Sequence, residues 1–139
     1  MLFGAEHVKR YRETGGEEGH EWEGTTVLIL TTTGRKSGEL RPTPLIYRPV
    51  GEQAYAVVAS NGGGDPPQWY LNILDHPEVV VQVKDQEFEA RARTANAGEK
   101  PDLWKALVDT WPAYEDYQAK ATREIPVVIL DGNFADSSD

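Results

Sequence analysis

Thr25-Thr26-Val27-Leu28-Ile29-Leu30-Thr31-Thr32-Thr33 runs directly into Gly34-Arg35-Lys36-Ser37-Gly38, and Arg41-Pro42-Thr43-Pro44-Leu45-Ile46-Tyr47 follows. The first segment is β-branched and apolar, as a buried strand requires. The two glycines bound a tight turn that carries two cations and several hydroxyls. Pro42 and Pro44 disfavour a helix interior after that turn. In an extended segment Thr43, Leu45 and Tyr47 share one face, and Pro44, Ile46 and Arg48 the other. Strand, basic turn, strand is the expected local structure. The phosphate loop of nucleotide triphosphatases needs a longer gap between its glycines, then Gly-Lys-Ser/Thr and a helix, and none of these follows Gly34.

Working outward, Gln53 to Ser60 reads as a third strand after a turn at Gly51-Glu52. Asn61-Gly62-Gly63-Gly64-Asp65 is a loop closed by Pro66-Pro67. Pro67 to Leu74 reads as a helix with Trp69 and Ile73 inward, joined by Tyr70 and Leu74. Glu78 to Val83 and Glu87 to Arg93 form a hairpin across Lys84-Asp85-Gln86, with Val79, Val81, Val83, Phe88, Ala90 and Ala92 on one face. Gly98 to Thr110 is a helix that buries Leu103 and Leu107 beside Trp104 and Val108, and Pro112 ends it. Ala113 to Arg123 is a second helix, and Ile125 to Leu130 a last strand. His7 to Glu13 is a short helix ended by Gly15-Gly16, and Glu17 to Gly24 an acidic loop. Residues 1–24 thus form an N-terminal helix and loop, and residues 132–139 a polar, frayed tail. The fold class expected is mainly β (α+β): about six antiparallel strands in a barrel, with two or three short helices attached, in one domain over residues 1–139.

The chain has 139 residues, net charge -9 and no cysteine. That length fits one sizeable core. The missing cysteine excludes disulfides, thiolate catalysis and Cys-ligated metals. A sequence pI of about 4.8 argues against a broad nucleic-acid surface. No apolar run is long enough for an integral membrane span, and residues 1–10 carry no apolar signal core, so a cytoplasmic protein is expected. His7, His20 and His76 have no metal-triad spacing and read as ordinary surface histidines. No Gly-x-Ser-x-Gly elbow marks a hydrolase.

Against this acidic background the turn at Gly34–Gly38 is a concentrated positive site. Its glycines allow close backbone approach, and Arg35, Lys36 and nearby N–H groups can hold phosphate or carboxylate. It reads equally as a solvated hairpin turn. Ala59-Ser60-Asn61-Gly62-Gly63 is a second backbone-rich concavity at a strand end, or a plain glycine-rich connector. Gln68-Trp69-Tyr70-Leu71-Asn72 makes it one wall of an aromatic pocket. Trp111, Tyr114 and Tyr117 fall near one face if a helix bridges Pro112. Core packing explains Trp111 more simply, whereas the tyrosine hydroxyls can line a pocket and donate protons.

Thr-Thr-Thr-Gly-Arg-Lys-Ser-Gly with Arg41, Pro44-Leu45, Ala59-Ser60-Asn61-Gly62-Gly63, Trp69-Tyr70-Leu71-Asn72, His76-Pro77, Trp111-Pro112-Ala113-Tyr114-Glu115-Asp116-Tyr117-Gln118 and Arg123-Glu124-Ile125-Pro126 occur in that order. Together they resemble the deazaflavin-dependent nitroreductase family of mycobacteria and related actinobacteria, over about Thr25 to Leu130. The resemblance implies a split β-barrel of the flavin-reductase, FMN-binding-like type. It implies the cofactor coenzyme F420, a hydroxylated deazaflavin with an anionic phospholactyl-oligoglutamate tail. Carried over, the cofactor-binding positions are Arg35, Lys36, Ser37, Arg41, Val58, Ala59, Ser60, Asn61, Gln68, Trp69, Tyr70, Leu71, Asn72 and Tyr114. The family often has lysine where Asn61 stands. Its nitroimidazole-reducing member has tyrosine at the position of Trp111 and an aromatic residue at that of Ile46.

The resemblance further implies hydride transfer from reduced F420 to an electron-poor quinone, activated enone or nitroaromatic, with Tyr114, Tyr117, Ser60 or water as proton source. The other readings are a binding module that holds F420 or a flavin without catalysis, and an FMN-dependent reductase on the same barrel. The expected partner is a small electrophile, with a homodimer as the favoured assembly.

Overall fold

The computed structural model describes residues 4–133. Strand β2 (Thr25–Thr33) is the spine of the sheet. It pairs antiparallel with β3 (Leu40–Ile46) from Thr33↔Leu40 to Val27↔Ile46, so the basic segment is a hairpin turn as expected. On its other side β2 pairs with β1 (Glu21–Trp22) and β6 (Glu78–Val83). The sheet continues through β7 (Gln86–Thr94), β8 (Val127–Asp131) and β5 (Ala54–Val58) to β4 (Arg48–Gly51). All pairings are antiparallel. The helices are α1 (Gly4–Thr14), α2 (Gln68–Asp75), α3 (Lys100–Thr110) and α4 (Ala113–Lys120).

The curled antiparallel sheet with attached helices agrees with the expected class. The expected counts were low, because the described residues hold eight strands and four α-helices. The two extra strands lie where loop and turn were expected. β1 is only two residues long and returns to β2 across Glu23-Gly24, both at positive φ. Such a pair fits a primed hairpin turn. β4 is the continuation of β3 beyond Tyr47, paired with the opposite end of the sheet. The turn between β6 and β7 is Lys84-Asp85 alone, since Gln86 already pairs with Val83. Of the tail expected over residues 132–139, Gly132 and Asn133 are instead tied down, their N–H groups donating to Gln53 O and Asp131 Oδ1 at 2.8 Å, and residues 134–139 lie outside the described residues.

Period-two alternation sorts the strands into two faces. Leu28, Leu30, Val57, Val79, Val81, Ala90, Ala92, Val128 and Leu130 form the barrel interior, plugged by Trp69 and Ile73 of α2. Leu74, expected inward, is 60% exposed, because helical periodicity places it away from the face that buries Trp69, Asn72 and Ile73. On the outer face Ala56, Val58, Val127 and Ile129 pack under α3 and α4 through Leu107 and Tyr114. Val8 and Tyr11 of α1 cover Ile29. Pro112 separates two helices as expected, with α3 ending at Thr110 and α4 starting at Ala113.

Tyr47 marks the corner where β3 passes into β4. It is buried, meets Tyr55 edge-on at 5.3 Å, and its hydroxyl lies 2.8 Å from His20 Nε2. Burial, then the charge of Lys84, hold the His20 imidazole below its ordinary pKa, with Glu21 partly opposing them. The unfolded chain therefore binds this proton more readily than the folded one. Its contribution to stability is complete above the unfolded value of about 6.5 and is lost as pH falls through and below it. The thermal midpoint is expected to drop from about pH 7.5 to about pH 5.5, before the carboxylates titrate, and His20→Asn should flatten that part of the profile. A wild-type midpoint that stays constant over this window, or a variant with the same slope, would remove His20 from the account.

Candidate functional site

The turn after β2 is closed by its own backbone. Gly34 N–H donates to Glu39 O and Gly38 N–H to Gly34 O, each at 2.8 Å, and Glu39 N–H donates to Ser37 Oγ. Arg35 is folded back onto α2. Its guanidinium donates to Asn72 Oδ1 and Gln68 Oε1, both at 2.9 Å, and its backbone N–H also donates to Asn72 Oδ1. Asn72 is 4% exposed and donates to Thr32 Oγ1, so one amide ties strand, turn and helix together. Both side-chain partners of Arg35 are neutral, which orients the guanidinium without cancelling its charge. Neither Arg35 nor Lys36 forms an ion pair among the described residues. Arg41 pairs with Glu39 at 3.1 Å, but both side chains are more than half exposed, so that contact is weak and exchangeable. Arg35, Lys36, Ser37, Arg41, Gln68, Trp69 and Asn72 line one cavity of about 400 Å³.

A second cavity, about 440 Å³, lies beside it. Four consecutive β3 residues, Thr43 to Ile46, line it, so it wraps the free edge of that strand. Val58 and Ser60 close it from the end of β5, and Trp111, Tyr114 and Tyr117 from α3 and α4. Thr43 lines both cavities, so a basic cavity and an aromatic one meet at this residue of β3.

The loop after β5 is seated on α4. Arg123 donates through Nη2 to Ala59 O and Ser60 O at 3.1 and 3.2 Å, and through Nε to Gly64 O at 3.1 Å. Gly63 sits at φ +90°, and a Cβ there would lie 2.6 Å from Tyr117 O, so only glycine lets loop and helix approach this closely. Ser60 spends no side-chain bond on capping the 3₁₀ turn Asn61–Gly63. Tyr114 is 5% exposed. Burial, then the neighbouring Tyr117, raises its phenol pKa, so it remains protonated at neutral pH and able to donate.

The structure brings most of the sequence-derived site together. Arg35, Lys36, Ser37, Arg41, Gln68, Trp69 and Asn72 meet at the basic cavity, and Val58, Ser60, Tyr114 and Tyr117 at the aromatic one. Trp111 joins the tyrosines although no continuous helix crosses Pro112. Four candidates line neither cavity. Ala59 is fully buried in the barrel interior, and Asn61 donates to Asp65 O within its own loop. Tyr70 reaches Thr94 Oγ1, and Leu71 is half-buried on α2.

Sequence reasoning missed Thr43, and it missed His7 and Trp22, which reach the aromatic cavity from α1 and β1. It also read the histidines as ordinary surface residues. That holds for exposed His76. His20 is half-buried against Tyr47, and His7 is 3% exposed with Nε2 2.8 Å from Gly19 O. No local pattern marks His7, because its burial depends on a helix packing across the sheet.

Residues 4–132 match the family described as F420H(2)-dependent quinone reductase. An F420H(2)-dependent quinone reductase of Mycobacterium tuberculosis (strain ATCC 25618 / H37Rv) is 38% identical over 131 residues, covering 89% of this chain and 86% of that protein. The solved structure of an F420-H2 dependent reductase, FDR-A, superposes with a TM-score of 0.68 at 41% identity, over 76% of this chain and 93% of the other. A second solved structure, described as a domain-swapped dimer, has a TM-score of 0.73 at 36% identity, over 91% of this chain and 95% of the other. With fold, groove and sequence in agreement, the chain belongs to the F420H(2)-dependent quinone reductase family.

Proposed function

We propose that this protein is an F420H(2)-dependent reductase that delivers a hydride to an electron-poor small molecule, a quinone first among them. The carrying observation is the adjacency of the two cavities at Thr43: two cations without carboxylate partners stand in one, and the other is an apolar, aromatic chamber. F420 joins an anionic tail to a flat ring, and the two cavities match those two parts. Bound in its reduced form, the cofactor supplies a hydride equivalent from its ring.

The remaining roles belong to the chain. Arg35, Lys36, Ser37 and Arg41 hold the tail, with Gln68 and Asn72 keeping Arg35 in place. Trp69 walls the basic cavity, and Val58, Ser60 and the backbone clamped by Arg123 bound the aromatic one. Tyr114, Tyr117 and Ser60 offer hydroxyl donors to the oxygen that gains negative charge as the substrate is reduced, and water is their rival. Orientation supplies most of the rate, since hydride transfer needs two ring carbons held within about 3–3.5 Å.

No helix among the described residues is long and apolar enough to cross a membrane. The cytoplasm is the proposed site of action, where a charged, reduced cofactor is available without transport. The proposed assembly is a homodimer, supported by the solved relative described as a domain-swapped dimer. Light scattering of the purified protein measures this directly.

Titration with F420, followed by steady-state oxidation of reduced F420 with menadione, tests the function. Tight binding without turnover would leave a binding module. Failure to bind F420 would remove the proposal altogether. Replacing Arg35 and Lys36 together by Ala is expected to weaken F420 binding by about tenfold or more per residue, because charge-assisted contacts contribute about 1.5–3 kcal/mol each. Affinity should also fall as salt rises. Unchanged, salt-independent affinity in a fluorescence titration would return the turn to a solvated hairpin.

Tyr114→Phe and Tyr117→Phe keep the ring and delete the hydroxyl. Loss of an essential proton donor is expected to lower turnover on a cyclic enone by about 10²–10⁴-fold while F420 affinity stays within a few-fold. A quinone should be affected less, since its product oxygens can take protons from water. If the double Phe variant retains full activity on both substrates, protonation passes to Ser60 or solvent.

A further inference from the structure

The aromatic cavity has a wall that the cofactor does not account for. Were the tail held at Arg35 and Lys36 and the ring near Val58 and Ser60, the rest of the aromatic cavity would be open to the second reactant. His7 and Trp22 from the N-terminal segment line this cavity, with Trp22 against Trp111. The three rings run in sequence. His7 and Trp22 have centroids 6.4 Å apart, Trp22 and Trp111 5.8 Å, and both pairs are tilted by 34°.

The wall is held in place. His7 is 3% exposed, and its Nε2 donates to Gly19 O at 2.8 Å, a carbonyl that can only accept. Gly19 lies at φ +102°, and a Cβ there would sit 2.9 Å from His7 Cδ2, so the loop is shaped around the imidazole. Tyr11, one helical turn beyond His7, anchors α1 to the sheet: its hydroxyl accepts from Lys84 N–H at 2.7 Å and donates to Gln82 O at 3.3 Å. Trp22 is tied to β2 by its pairing with Thr25.

We infer that His7 and Trp22 are substrate-specificity residues of this reductase, and that they select fused-ring acceptors over single-ring ones. The inference rests on the proposed function. A tilted aromatic row offers faces and edges to a flat partner, and each such pairing adds attraction beyond area burial. A single quinone ring engages the reacting side of the chamber, and a fused second ring reaches the row. The N-terminal segment thereby sets substrate range while the basic turn and β5 loop hold the cofactor.

Menadione and toluquinone test this, since the two methylquinones differ by the fused ring. The variants are Trp22→Leu and His7→Gln, the latter keeping an N–H for Gly19 O while removing the ring. Each is expected to lower kcat/KM for menadione by about tenfold, mostly through KM, with toluquinone changed less than about threefold. F420 affinity, measured by titration, should stay within about twofold, which also reports that the groove is folded. Equal losses on both quinones, or no loss on menadione, overturn the inference while the function stands. Weakened F420 binding in both variants overturns it too, by placing the wall with the cofactor. A wild-type protein inert toward both quinones overturns the function and the inference together.

Discussion

Strand β3 pairs with β2 and has no second partner among the described residues, and the groove exists because of it. The chain runs β3 to β4 through one buried residue, Tyr47, yet the two strands attach to opposite ends of the sheet. A ladder between β3 and β5 would close the barrel and fill the space in which Thr43 to Ile46 now face a cavity. Pro42 and Pro44 remove two donors from β3, and proline is tolerated on an edge strand and not between two ladders. The helices α3 and α4 cap the gap without filling it, and α1 and β1 cover its other side. The split in the sheet is thus enforced by backbone chemistry.

Charge placement follows the same architecture. Some basic side chains sit on carboxylates, Arg93 on Glu99 and Lys100 on Glu124, whereas Arg48 and Arg123 donate to backbone carbonyls. At the turn Arg35 is held by two neutral amides instead. A carboxylate within ion-pair distance would offset most of its field. An amide supplies direction alone and leaves the charge for a ligand. In a chain of net charge -9, a fixed and uncancelled cation is a local feature that surrounding structure must support. Buried Asn72, bridging Thr32 and Arg35, provides that support.

Much of this was legible beforehand, for identifiable reasons. The β2–turn–β3 hairpin could be read because strand alternation, turn glycines and prolines act over a few residues. The interior faces of β6 and β7 could be read for the same reason, and Val79, Val81, Ala90 and Ala92 lie where alternation puts them. Weak, short pairings escaped. β1 has two residues and no apolar period, and β4 looks like the tail of β3 until its partner is known. Asn61 and Tyr70 were assigned to the site by resemblance, yet their polar atoms bond to Asp65 and Thr94. A motif carries backbone position well, and side-chain direction depends on nearby partners.

Local chemistry alone thus specified a β-rich chain with a cationic turn, a glycine-rich strand-end loop and a cluster of tyrosines. These properties are written in nearest-neighbour sterics, periodicity and charge. It could not specify that Thr43 borders both cavities, or that His7 and Trp22 line the aromatic one. Nor could it specify that Arg123 clamps a loop some sixty residues earlier in the chain, through Ala59 and Ser60. Those facts depend on strand order and on helices crossing the sheet. They arise when distant apolar faces are buried together, and only the folded chain holds that information.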